Sequence, residues 1–301
     1  MTKLITEYPV RTLDGIELLS AGTELTGKIL EDLAGREASA SYEVQSLLGY
    51  GTIRQDLSIF INFPPYHIVF SDPEQNADIL QILEKVKLPL PVLESMKYFR
   101  QHDFQTYRHN LMVFIVSVLL AKILLPDHKE LLNSTITGSS HDIGKICVPL
   151  DILKKTTPLT ASEYKLLRHH AVSGYVLLSY FLRDHKSFIA QLARDHHERK
   201  DRSGYPRGIE QTDTMVEIVA VADVYDALLM PRSYRPNSYD NRTALEELTS
   251  MAERGEIGWD VLKALISQNR MDKPGYQQLT ISEEKRGSAP RGNLYGKIID
   301  D

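Results

Sequence analysis

Beyond residue 90, apolar positions recur every three or four residues, the period of helices that bury one face. The longest such run is 92–125; the runs 129–146, 162–181, 187–197, 215–229, 242–254 and 259–269 follow, and no strand pattern interrupts them. This predicts a mainly α protein, with an all-helical bundle over 88–270. Its most apolar stretch, LMVFIVSVLLAKILL at 111–125, contains Lys122. That is short of the roughly 20 residues a membrane span requires, so it reads as a core helix and no span is expected.

Residues 1–87 are patterned differently. Asp14-Gly15 between β-prone flanks signals a hairpin, and TGKILEDL at 26–33 reads as a helix opened by a Thr cap. SIFINFPPYHIVF at 58–70 reads as two short strands around the Pro64-Pro65 breaker. A small α+β module is expected, with no grouping of His, Cys or acidic residues to suggest chemistry. Its expected duty is regulation or interaction, through a protein partner or a signal. Leu88-Pro-Leu-Pro91 looks like the junction with the bundle, and 271–301 is polar and expected to be an extended tail.

Composition adds exclusions. With 42% hydrophobic and 25% charged residues the chain is an ordinary globular one, not a disordered one. Its 40 acidic and 35 basic residues give a net charge of −5, so no basic footprint for DNA is present, though a nucleotide remains open as a ligand. The single cysteine, Cys147, excludes an intramolecular disulfide and a thiolate zinc cage, and fits a reducing cytoplasm. The first residues carry no apolar signal-peptide core.

The chemistry lies with the histidines. Most of the ten fall between His102 and His197, in company that suggests ligation: His109; His141-Asp142; His169-His170; His196-His197-Glu198; then Asp223. Singly, each is more simply a core or surface residue; two adjacent pairs and a His-Asp dyad in one bundle favour a metal site. Imidazole and carboxylate suit iron, manganese or zinc, and facing helices project such ligands inward. His109, His141, Asp142 and Asp223 would surround one ion and Asp142, His170, His196 and His197 a second, with Asp142 bridging. Two such ions form the usual clamp for hydrolysing a phosphoester. The turn Ser203-Gly-Tyr-Pro206 would then let Tyr205 overhang the centre and touch a ligand.

His141-Asp-Ile-Gly-Lys145, His170-xxx-Gly174, His196-His-Glu198, Gly204-Tyr-Pro206 and Val221-Ala-Asp-Val-Tyr-Asp-Ala227, in that order, resemble the HD-GYP family, a bacterial branch of the HD-domain metal-dependent phosphohydrolases. The resemblance covers roughly 95–270. It implies a cyclic di-GMP phosphodiesterase that cuts its substrate to pGpG or GMP, with two divalent ions, iron or manganese, as cofactors. It also implies ligand roles for His141, Asp142, His170, His196, His197 and Asp223, and for His109 by its place before the dyad. Lys145 would assist at the scissile phosphate, Tyr205 would contact substrate, and Arg232 and Arg235 would meet its phosphates.

Three positions depart from the family pattern. Gln105 stands where members with three metals have a glutamate, so a third ion is not expected. Arg202 replaces a glycine in the loop that carries Tyr205, and its bulk and poorer tolerance of positive φ could reshape that loop. Ser233 replaces a proline between the two arginines. None removes a ligand of the two-ion site. Two further readings stay open: a module that binds cyclic di-GMP or a partner protein without turnover, and a phosphohydrolase for another nucleotide.

Overall fold

The structure, a computed structural model, describes residues 3–36, 42–125, 140–231, 237–282, 284–291, 298–299 and 301. In the amino-terminal region the expected hairpin is present: Val10–Arg11 and Glu17–Leu19 pair antiparallel across a turn in which Gly15 takes a φ of +86°. The helix Gly27–Ala34 follows, with the Thr26 hydroxyl accepting from the Ile29 amide. The two strands expected over 58–70 do not form. Residues 58–60 instead finish the helix Ile53–Phe60, and Pro64–Tyr66 make a 3-10 turn. Ile53, Asp56, Leu57 and Phe60 share one buried helical face, and the prolines occupy first-turn positions, where no amide proton is needed. After the helix Pro73–Glu84, strand Lys87–Pro89 pairs antiparallel with Val44–Ser46 and leads directly into the helix Leu90–His102.

The carboxy-terminal region is a helical bundle, as its periodicity predicts, but two runs are divided. The 92–125 run breaks at Asp103, whose carboxylate accepts from the Thr106 amide and caps the helix Phe104–Leu124. The 162–181 run breaks at His169, between Ala161–Arg168, opened by a Thr160/Glu163 capping box, and His170–Phe181. The 129–146 helix lies partly outside the described residues; its last residues belong to the 3-10 turn Ile143–Cys147. Phe188–Asp195, Thr214–Leu229, Asn241–Glu253 and Trp259–Gln268 fall where expected.

Phe104–Leu124 is the core helix. It packs against Leu90–His102, Thr214–Leu229 and Trp259–Gln268, and every residue from Thr106 to Ala121 is buried. It is long and apolar enough to cross a membrane, yet 83% of its apolar window is buried inside the protein. Such all-round apolarity is what a central helix needs. The tail is not merely extended: Ile298–Ile299 pairs parallel with Leu159–Thr160, a short strand the sequence did not suggest. One hydrophobic core runs through both regions, from Val10, Leu33, Leu57 and Val69 to Leu93, Leu111, Leu177 and Leu265. Within it, helix Gly27–Ala34 lies against His170–Phe181.

Candidate metal centre

Glycines bring the motifs together. A Cβ on Gly144 would stand 1.9 Å from the carbonyl oxygen of His170 and 2.5 Å from the amide of Gly174. The 3-10 turn after Asp142 therefore lies directly on the first turn of His170–Phe181, and no side chain fits between them. That contact turns His141 and Asp142 toward His170. His196 and His197 arrive at the end of helix Phe188–Asp195, and Asp223 from the middle of Thr214–Leu229.

Asp142 sits at the meeting point. Its Oδ1 is 3.3 Å from His170 Nε2 and 4.0 Å from His196 Nε2; its Oδ2 is 3.6 Å from His141 Nε2 and 3.7 Å from His109 Nε2. Ligand atoms of His109, His141 and Asp223 lie within 4.8 Å of one another, as do those of His170, His196 and His197, and those of His141, Asp142 and His196. All seven predicted ligand residues are thus gathered. Lys145 also reaches the group, with Nζ 2.5 Å from Asp142 Oδ2. Burial alone would raise the Asp142 carboxyl, but Lys145 and the facing imidazoles outweigh it and hold it well below its usual range.

The tautomers follow from the backbone. His170 Nδ1 lies 2.7 Å from the Leu167 carbonyl and His196 Nδ1 lies 2.9 Å from that of Ala193. A carbonyl only accepts, so each Nδ1 carries the proton. Burial pushes His170 down to about 4 and, with the neighbouring imidazoles, His196 well below its usual value, so both rings are neutral. Their Nε2 atoms are therefore lone-pair acceptors, yet they stand 3.3 Å apart, and His197 Nε2 is 3.1 Å from His170 Nε2. Two acceptors turned on each other, as in His170 and His196, fit a cation. The donor set, all nitrogen and oxygen, fits a divalent ion of the iron, manganese or zinc type.

A second layer orients these side chains. Asp226 accepts from Arg108 at 3.0 and 2.8 Å, from His109 Nδ1 at 2.6 Å and from the Tyr66 hydroxyl at 2.5 Å. This leaves His109 Nε2 facing Asp223 Oδ1 at 2.9 Å, the carboxylate–histidine arrangement that precedes a metal ligand. Burial would raise Asp223, but the His109 hydrogen bond and the nearby imidazoles hold it well below its usual range. Sequence reasoning assigned no role to Asp226, Arg108 or Tyr66. Asp226 follows Asp223 by three residues and so shares its helix face, a signal open to reading.

At the mouth, Tyr205 stacks on His197 with centroids 4.5 Å apart and planes 22° apart, and the Arg168 guanidinium lies 4.2 Å from the Tyr205 ring centroid. Gly204 permits this: its Cβ would meet the His197 carbonyl oxygen at 2.3 Å. Glu198 is buried and accepts from the amides of Arg207 and Ile209 at 2.7 and 3.1 Å, so it anchors the loop and belongs to no ligand cluster. Arg202 adopts the left-handed conformation, with φ of +71°, and pairs with Glu210 at 2.8 Å. Gln105 is exposed one turn before His109. Arg232, Ser233 and Arg235 lie outside the described residues.

A helical bundle with imidazoles and carboxylates converging on one buried aspartate has the form of a metal-binding site. The HD domain family model matches residues 96–261, more than half of the chain, and the chain belongs to that family. Its motif order is that of the HD-GYP branch. It is 33% identical over 165 residues to a cyclic di-GMP phosphodiesterase of Thermotoga maritima, covering 54% of this chain and 44% of that one. It is 34% identical over 178 residues to a cyclic di-GMP phosphodiesterase of Pseudomonas aeruginosa, covering 58% and 42%. A 3'3'-cGAMP-specific phosphodiesterase of Vibrio cholerae is 30% identical over 213 residues, covering 70% and 46%. The chain spans less than half the length of these curated relatives.

Proposed function

We propose that this protein is a metal-dependent cyclic di-GMP phosphodiesterase that hydrolyses its substrate to pGpG or GMP. His109, His141, Asp142 and Asp223 would hold one divalent ion and Asp142, His170, His196 and His197 the other, iron or manganese in each case. The observation that carries this reading is the two-sided placement of Asp142, with one oxygen toward His170 and His196 and the other toward His109 and His141. Two ions so held would supply charge neutralisation at the phosphoryl oxygens and a hydroxide nucleophile at neutral pH.

The remaining residues bind and orient. Lys145 brings a cation to the edge of the centre for the scissile phosphate. Tyr205 would contact the substrate from the mouth, and Arg168 adds a guanidinium beside it, suited to a phosphate oxygen. Arg232 and Arg235 would add further phosphate contacts. The proposed organisation is an interaction or regulatory unit at 1–87, which would take a protein partner or signal, a catalytic unit at 88–270 and a tail at 271–301, in a cytoplasmic protein.

Metal analysis and product chromatography test this. Protein reconstituted with iron or manganese should take up about two equivalents per chain and yield pGpG or GMP. Asp142→Ala should lose both ions and slow hydrolysis by at least about a thousandfold. No metal uptake on reconstitution would sink the proposal; metal uptake with tight cyclic di-GMP binding and no product would make the protein a sensor. Similarity to the Vibrio protein favours a second reading, a preference for a mixed cyclic dinucleotide. Rates for the two substrates compared side by side decide it.

A further inference from the structure

We propose that Tyr66, from the amino-terminal region, is a positioning residue for the metal centre, acting through Asp226 on His109. The inference rests on reading the His/Asp group as a metal site. Tyr66 is fully buried at the end of the Pro64–Tyr66 turn, and its hydroxyl donates to Asp226 Oδ1 at 2.5 Å. The same oxygen accepts from Arg108 Nη1 at 3.0 Å, while Oδ2 takes Arg108 Nη2 at 2.8 Å and His109 Nδ1 at 2.6 Å. With four donors on two oxygens, the acceptor capacity of the carboxylate is filled and its plane is fixed. That plane sets the direction of the His109 ring. Rings of Phe70 and Tyr225 flank Tyr66, with centroids 6.3 and 6.1 Å away, so the phenol is held from both regions of the chain.

Without the Tyr66 hydroxyl, Oδ1 loses its shortest hydrogen bond and the carboxylate can shift within the Arg108 fork. His109 Nδ1 then loses a partner of fixed direction, and Nε2 loses its aim. Asp226 is the direct partner of His109, and partners of that kind tune metal affinity measurably; Tyr66 acts on it from one hydrogen bond further out. The amino-terminal region therefore completes the outer layer of a centre whose ligands all belong to the bundle. Docking of that region and metal affinity are coupled, and by linkage the coupling runs both ways.

A second buried phenol provides the comparison. Tyr107 donates to Asp56 at 2.7 Å across the same boundary, but Asp56 touches Arg100 and Thr52 and no member of the cluster. Chelator competition with cobalt(II) or manganese(II) on the full chain should show Tyr66→Phe weakening metal affinity by about tenfold, with a shifted cobalt visible spectrum. Tyr107→Phe should lower the melting temperature comparably while leaving affinity and spectrum as in the parent. In the unmutated protein, metal should slow hydrogen exchange at the Tyr66 and Phe70 amides, a measurement that does not depend on the variants folding. Parental affinity and spectrum in Tyr66→Phe, equal weakening in both variants, or metal-insensitive exchange at these amides would overturn the inference. If the parent takes up no metal at all, it is the metal-site reading itself that fails.

Discussion

The two sides of the histidine cluster are held by different means. On the deep side, His109 is fixed by a carboxylate that is itself pinned by a bidentate guanidinium and a phenol, all buried. On the mouth side, His197 is partly exposed and is covered by a stack, Tyr205 and then Arg168, mounted on a loop that Glu198 holds by two amides. Charged hydrogen bonds fix both distance and angle, whereas stacked rings tolerate sliding at little cost. The difference would suit a division of labour: a rigid ligand at the deep end of the cluster, and adaptable contact at the mouth, where the proposed substrate would enter and leave.

The largest effect should separate the two sides outright. Asp226→Asn leaves Arg108 as a buried charge facing a neutral amide, which should destabilise the fold by about 3–5 kcal/mol and weaken metal binding by about 10–100-fold. Tyr205→Ala should leave metal binding unchanged and raise KM about tenfold, through the loss of a stacking and cation–π surface. Denaturant unfolding, metal titration and steady-state kinetics on both variants check this. Equal effects on metal affinity would erase the distinction.

Acid should act next, where the two sides meet. The His170 ring is held near 4 against an ordinary 6.5 because it is buried. Between those values the unfolded chain binds a proton that the folded one refuses. Stability is therefore complete above pH 6.5, declines as the pH falls below it, and levels off near 4, having lost on the order of 3 kcal/mol through this ring. Urea unfolding of metal-free protein between pH 4.5 and 7 should show that slope. His170→Gln should make it shallower by about one proton.

Much of this was legible in the sequence, for physical reasons that differ by residue. The proposed ligand residues stood out because ligation needs particular side chains: His141-Asp142 and His196-His197 cannot be replaced by apolar residues of the same periodicity. The bundle helices were legible because a buried face imposes a period. The breaks at Asp103 and His169 were not, since apolar spacing runs across them and only the cap geometry reveals them. The 58–70 segment misled because β-branched and aromatic residues flank a proline pair, while burial of Leu57 and Phe60 on one face favoured a helix. Tyr66 gave no signal at all. Its partner Asp226 lies 160 residues further along the chain, and nothing in local pattern marks a contact of that range.

The smallest predicted effect concerns the mouth loop alone. Arg202 holds a φ of +71°, a region that costs a residue with a Cβ roughly 1–2 kcal/mol. Its guanidinium recovers little, because the pair with Glu210 is exposed on both sides. Arg202→Gly removes the steric cost but adds backbone entropy to the unfolded chain, so the net gain should be about 0.5–1 kcal/mol. Thermal and urea unfolding of the variant measure this, and metal affinity should not move, because the turn that places Tyr205 is already formed with arginine in it. A loss of stability in the glycine variant would mean that the Glu210 pair, rather than local geometry, maintains the loop. A gain in stability with altered metal binding would mean that the mouth side is coupled to the ions after all, and the division between the two sides would have to be redrawn.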